Sequence, residues 1–310
     1  MKGILQTGNK IIAALIVMMT ILAIFLPIFD ISLHFQDYLV HFLILLIISG
    51  LVGLLLSNNI LLYTGFGCAA ALALFLKNAS NTELKDPKIN DKTKLTIAHL
   101  NVSLITDIET IQQIAQDSII DVISFQEYTP DWANIMPQIL KKDFPYTYED
   151  VRIDLYGKSF FSKYPLQNSK ILKYIDVPNI ESEIQLGQDA FKIFSTYLTP
   201  ALDKRSKSLA KEQFDAVTIY HLREHNPKII IGEFNQVYWS HDILAFRTKT
   251  GLLNSRRNVS PTTLKVPYDH IFYSPDLECY YFEELNDIYG NHIGCKASFQ
   301  LKNVKSRKLR

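Results

Sequence analysis

Asn101, Glu127, Glu233, Asn235, Asp269, Asn291 and His292 are far apart in the chain, yet each stands at the end or the start of a short apolar run. Asn101 closes Leu95–Val102, and Glu127 follows Val122–Gln126. The tetrad Gly232-Glu233-Phe234-Asn235 follows Ile229–Ile231. Asp269-His270 opens another run, and Asn291-His292 precedes the last one. Singly these positions say little. A Glu after a strand is usually solvated, and a His near a turn is more often a hydrogen-bonded structural residue than a catalyst. Together they gather carboxylates, carboxamides and histidines at strand ends, which suits a hard cation and in-line attack on phosphorus. The cation takes oxygen ligands. The attacking water needs a base, and the charge on phosphorus needs donors or cations.

The runs that carry these residues read as strands at Leu95–Val102, Asp121–Gln126, Lys158–Ser162, Phe191–Leu198, Lys228–Phe234, His270–Tyr273 and Ala297–Leu301. Helical patterns lie between them. One follows Thr106 and Asp107, which can cap it, and runs to about Ser118. A second occupies Trp132–Leu140, with Pro130 near its start. A third, long one occupies Lys204–Glu224. The alternation predicts an α/β domain of single-domain size over residues 92–302, with no internal repeat.

The N-terminal part differs in kind. Ile11–Phe29, Leu39–Leu56 and Ile60–Leu76 are apolar runs in which His41 is the one group able to carry charge near neutral pH. Each is near the length that crosses a hydrocarbon core as a helix, and none shows the polar stripe of a buried core helix. Residues 1–76 are therefore expected to be three transmembrane helices. Ser49, Gly50, Gly53, Gly65, Gly67 and Cys68 are small enough to let such helices approach closely. Two further runs after the first argue against a cleaved signal peptide. Residues 77–91, polar and containing Pro87, read as a linker, and 303–310 as a basic tail. Lys2 and Lys10 before the first run favour a cytoplasmic N-terminus; an odd number of spans then puts the domain outside the cytoplasm.

A formal net charge of +1 over 310 residues gives no polycationic surface for a nucleic-acid backbone. Cys279 and Cys295 have no metal-ligand spacing; a single disulfide between them is conceivable, a pair of buried thiols the plainer expectation.

In order along the chain, "HLNVSL", "ISFQEYT", "YGKSFFSKYPL", "STYLTP", "IIIGEFN", "YDHIFYSP" and "GNHIGCKASF" resemble the motifs of the endonuclease/exonuclease/phosphatase superfamily, the DNase I-like fold. The apolar N-terminus and "EFNQVYWS" further resemble its membrane-tethered branch, which includes teicoplanin-resistance proteins. The resemblance implies two packed sheets flanked by helices, with the site at one end. It implies Mg²⁺ or Mn²⁺ held by Glu127 with Asn101 nearby. It also implies that Glu233 and Asn235 orient the nucleophile, and that His292 meets the phosphate or exchanges a proton.

Five positions depart from the family pattern. Glu233 stands for Asp, Asn291 for the Asp before the closing His, Tyr197 for a His, Gly290 for Ser and Lys163 for Arg. Tyr197 resembles the abasic-site endonuclease branch. Asn291 is expected to accept from the imidazole of His292 without stabilising its charged form. The expected function is a membrane-anchored, metal-dependent phosphoesterase acting on a phosphodiester, a pyrophosphate or a lipid-linked phosphate. The alternative is a weak or inactive relative that binds a phosphate ligand or a protein. Nucleic acid is the less favoured substrate, and neither oligomeric state nor substrate identity is legible.

Overall fold

The structure is a computed structural model and describes residues 2–26, 37–81, 83, 87–89, 93–187, 189–257 and 266–302, without the side chains of 2–6 and 204. Residues 82, 84–86 and 90–91 of the expected linker and all of the expected tail lie outside these residues. Two compact units are present. One comprises Met1–Thr82 with Val237–Leu244, the other Glu83–Gln236 with Ala245–Arg310.

The first unit holds helices α1 (Lys2–Phe25), α2 (Leu39–Leu55) and α3 (Asn59–Ala79). Asn58 caps α3, its side chain accepting from the Leu61 N–H at 3.3 Å. The small residues act as expected where α2 meets α3. A Cβ on Gly53 would lie 2.4 Å from the Leu62 nitrogen, and one on Gly65 would lie 2.5 Å from the Gly50 nitrogen. Gly67 has open space instead. Thr7–Phe25 and Asn59–Ala79 are long and apolar enough to cross a membrane. At 17 residues, α2 spans only about 25 Å and is a shorter apolar helix.

The second unit is the expected α/β domain of the DNase I-like kind, built from two six-stranded sheets. The first has the order β11-β12-β1-β2-β4-β3, from β1 (Leu95–Asn101), β2 (Val122–Gln126), β3 (Tyr146–Asp150), β4 (Lys158–Ser162), β11 (Leu277–Asn286) and β12 (His292–Leu301). The second has the order β5-β6-β7-β8-β10-β9, from β5 (Leu166–Tyr174), β6 (Val177–Leu186), β7 (Asp189–Tyr197), β8 (Lys228–Glu233), β9 (Leu253–Asn254) and β10 (Asp269–Tyr273). Both sheets are mixed: β1 and β2 run parallel, as do β7 and β8, and the other pairs are antiparallel.

Ile97, Val122, Phe160, Ile193, Ile231, Ile271 and Phe299 fill the space between the sheets. The outer face of the first sheet packs Ala98, Ile123 and Phe161 against α4 (Ile108–Gln116) and α5 (Pro130–Leu140). On the second sheet, α6 (Lys204–Arg223) and α7 (His241–Thr250) contribute Phe214 and Phe246, whose rings meet Phe234. Asp107 caps α4, accepting from the Thr110 N–H at 2.7 Å, while Asp203 and Ser206 form a capping box on α6.

The strand directions bring the C-terminal ends of β1, β2, β7 and β8 and the starts of β4, β10 and β12 to one end of the sandwich. The expected linker is tied down in places. Tyr273 Oη donates to Glu83 at 3.1 Å, and Gln300 Nε2 to the Lys88 carbonyl at 2.8 Å. Cys279 and Cys295 are buried free thiols.

Candidate active site

Asn101, Glu127 and Glu233 meet at this end. The Asn101 amide nitrogen donates to Glu127 at 2.9 Å and to Glu233 at 3.1 Å. Its oxygen accepts from the backbone and hydroxyl of Ser103 at 3.0 and 2.8 Å. In this arrangement Asn101 turns its amide nitrogen, not its oxygen, toward the two carboxylates. A backbone N–H can only donate, so the amide oxygen is fixed on Ser103 and the nitrogen faces the carboxylates. Glu233 brings a second carboxylate, from the other sheet, onto the same amide as Glu127.

The backbone contributes to this aim. Glu127 has φ +59° and Asn235 has φ +52°, a left-handed conformation that costs a non-glycine residue on the order of 1–3 kcal/mol. Each turn lifts its side chain off the line of the preceding strand. Gly232 is required where it stands, since it has φ +142° and a Cβ there would lie 1.8 Å from the Thr196 carbonyl oxygen.

Tyr197, Glu233 and Asp269 are adjacent across β7, β8 and β10. Burial, then the charges of Glu233 and Glu127, raise the Tyr197 hydroxyl well above its usual value; an Asn235 hydrogen bond opposes the rise. Tyr197 is thus a protonated donor at neutral pH. Asn235 also donates to the Leu198 carbonyl at 2.7 Å, which holds it against the end of β7.

His292 begins β12, and its Nε2 lies 2.9 Å from Asp269 Oδ2. Burial favours the protonated form of Asp269. The hydrogen bond with His292, together with the attraction of the surrounding imidazoles, outweighs it and holds the carboxyl below its usual range. This corrects the role expected of Asn291. The carboxylate partner of the imidazole comes from β10, across the sandwich. Asn291 is exposed, and its amide nitrogen donates to Asp287 Oδ2 at 2.9 Å in the β11–β12 connection. Gly290, with φ +85°, lies in the same connection. Lys163 is at the far end of β4, where its amine donates to the Ser118 carbonyl at 2.8 Å. Neither departure bears on the cluster.

Two buried residues join the site without having been singled out. His99, two positions before Asn101, lies 3.8 Å from the other oxygen of Asp269. Burial pulls it down to about 4, so it is neutral near pH 7. Lys158, fully buried at the start of β4, donates to the Tyr156 and Pro178 carbonyls at 3.0 and 2.8 Å, and lies 5.7 Å from the centre of the Tyr197 ring. Burial lowers its ammonium to about 7. Parity along β1 marks His99, which shares a face with Asn101. A lone charge opening the apolar strand KSFFS marks Lys158.

Among the described residues no group of three or more His, Cys, Asp or Glu side chains surrounds one point. What converges is a pair of carboxylates on one amide. That donor set fits Mg²⁺ or Mn²⁺, which are typically held by one or two carboxylates with water and substrate phosphate completing the shell.

Residues 98–288 match the family model described as Endonuclease/Exonuclease/phosphatase family. The chain belongs to this family. Solved structures of family members share the fold at low identity. An endonuclease/exonuclease/phosphatase from Beutenbergia cavernae DSM 12333 superposes with a TM-score of 0.56 at 13% identity, over 68% of this chain and 72% of that one. A family protein from Bacteroides thetaiotaomicron gives 0.53 at 16% identity, over 69% and 100%. D. rerio TDP2 complexed with single strand DNA product gives 0.52 at 12% identity, over 67% and 99%. No curated protein sequence matches the chain. Within the endonuclease/exonuclease/phosphatase frame, the strand-end residues Asn101, Glu127, Tyr197, Glu233, Asn235, Asp269 and His292 are brought to one end, and Asn291 stands apart in an exposed turn.

Proposed function

We propose that the protein is a membrane-anchored, divalent-metal-dependent phosphoesterase acting on a phosphodiester, a pyrophosphate or a lipid-linked phosphate. The observation that carries this reading is the meeting of Glu127 and Glu233 on the Asn101 amide, at the same strand ends as the Asp269–His292 pair. The two carboxylates would hold Mg²⁺ or Mn²⁺, and a cation there would neutralise charge on the phosphoryl oxygens. Asn101 keeps the carboxylates together, a role that needs its amide nitrogen rather than its oxygen. Tyr197, held protonated, donates to a phosphate oxygen. Asp269 orients His292 through the contact at its Nε2, so the imidazole can donate to the phosphate or pass a proton. The apolar helices α1 and α3, each of spanning length, support the anchor. The linker, tail and extracytoplasmic orientation read from the sequence belong to the same proposal.

Phosphate release from a panel of esters by the full chain, with and without Mg²⁺ or Mn²⁺, tests the reading. Glu127→Gln is expected to abolish the metal-dependent part. If the native chain binds Mn²⁺ and phosphate but hydrolyses nothing on the panel, the domain is a binding module instead.

A further inference from the structure

The loops around the site carry the most exposed large apolar side chains of the sheet domain. Ile153 is 92% exposed in the β3–β4 loop, Leu202 is 83% exposed in the β7–α6 loop, and Tyr289 is 71% exposed in the β11–β12 connection. Leu155 adds a fourth such side chain beside Ile153. Register places all three loops at the site end, because β4, β7 and β12 begin or finish there.

The opposite end is different. Its connections are mostly polar, as in Lys141-Lys142-Asp143, Glu224-His225-Asn226 and Ser274-Pro275-Asp276. Its most exposed large apolar residue, Ile89 beside the Gln300-bound Lys88, is 60% exposed, and Leu222, Ile119 and Tyr146 reach only 48%, 45% and 42%. Scattered exposed apolar residues are ordinary, but large ones concentrated at the tips of loops around one site mark a contact surface.

We propose that Ile153, Leu202 and Tyr289 form a collar that enters the interfacial layer of a lipid bilayer, so that the site takes phosphate groups presented at a membrane surface. The inference rests on the membrane-anchor reading and narrows the substrate class to amphiphiles. A bilayer is the occupant chosen because this chain carries two apolar helices of membrane-spanning length. The collar is also discontinuous, isolated side chains on three separate loops from both sheets, and so suits a fluid apolar layer better than a shaped protein groove. Tyr adds an amphipathic ring of the type favoured at the membrane–water boundary.

The test uses the full chain in phosphatidylcholine vesicles. Cys68→Ala removes the half-buried thiol, since Cys279 and Cys295 are buried. Single cysteines at 153, 202 and 289, and at Ile119 as a far-end reference, carry an environment-sensitive fluorophore. The expected result is a blue-shifted emission at the three collar positions, quenched by headgroup-proximal spin-labelled lipid and protected from iodide, with the reverse at 119. Collar labels that behave like the label at 119 overturn the proposal. So do collar labels shielded from both quenchers, which would indicate a protein partner or a second copy. The readout needs no turnover. Failed hydrolysis with lipid-quenched labels would count against the phosphoesterase reading alone, and hydrolysis with iodide-quenched labels against the collar alone.

Discussion

An imidazole that moves a proton during turnover depends on the group that holds its other nitrogen, and here that group is Asp269. Replacing Asp269 by Asn keeps an acceptor but removes the carboxylate that faces the imidazole. We expect metal-dependent turnover to fall by about 10²–10⁴-fold, the usual range for general acid–base catalysis, with the chain still folded by circular dichroism. Asn291→Asp should behave otherwise. Asn291 donates through both its backbone and its side chain to Asp287, so a carboxylate at 291 meets a carboxylate. The expected outcome is an unchanged kcat/KM and a Tm lowered at neutral pH, with the deficit shrinking as salt is added. A rise in turnover would mean that residue 291 does assist His292. The strand-end residues were legible because a polar side chain closing an apolar run is visible locally. The partner of His292 was not, since Asp269 and His292 meet only where the two sheets face each other. For the same reason His99 and Lys158 acquire meaning only after folding.

The elements that escaped the sequence reading are those whose apolar pattern is broken by satisfied polar groups. In β6, buried Glu181 receives Tyr220 Oη at 2.5 Å and pairs with Lys170 and Lys192 at 3.2 and 3.3 Å. Without those partners the segment reads as polar loop. Strands β5 and β3 lie at sheet edges with much of their surface in solvent, which weakens alternation. Helix α6 and strands β1, β2 and β8 were legible because each is a long period or a continuous buried run. The β5–β6 hairpin shows a local conflict in its turn. Ile175 and Asp176 have φ +49° and +63°, the left-handed pair that Asn-Gly adopts readily and a β-branched side chain resists. Ile175 is 42% exposed, so little packing is at stake. Ile175→Asn with Asp176→Gly is expected to stabilise the domain by about 1–2 kcal/mol, read as a higher urea midpoint at unchanged slope. A lower midpoint would show that the Ile175 side chain contributes more than its backbone costs.

Over the whole molecule, the apolar helices and the sheet domain obey different solvents. The chain is expected to stay in the membrane fraction through alkaline carbonate extraction, because α1 and α3 are long enough to span; release into the soluble fraction would remove the anchor from the proposed function. The sheet domain has a pH dependence of its own. Burial pulls His99 down to about 4 and His221 and His270 to about 3. All three are fully buried, and neither ring nitrogen of His221 has a hydrogen-bond partner among the described residues. Near pH 7 they are neutral in the folded chain and mostly neutral in the unfolded one, so they contribute little slope. As pH falls below the unfolded value of about 6.5, the unfolded chain takes up protons that the folded chain refuses, so stability is lost. Three such groups give a slope on the order of 4 kcal/mol per pH unit, at about 1.4 kcal/mol each. The loss continues until the folded histidines themselves titrate near 4 and 3. The domain should therefore unfold cooperatively in mild acid, well before its carboxylates are fully protonated. His221→Phe isolates one of the three, because its ring already sits edge-on to Phe194 at 4.6 Å and a phenyl ring is of similar shape. That variant is expected to shift the acid midpoint downward and to remove about one proton from the uptake on unfolding, measured from urea midpoints between pH 7 and 5. An unchanged proton uptake would mean that His221 is hydrated or paired in the folded chain and does not contribute to the acid lability.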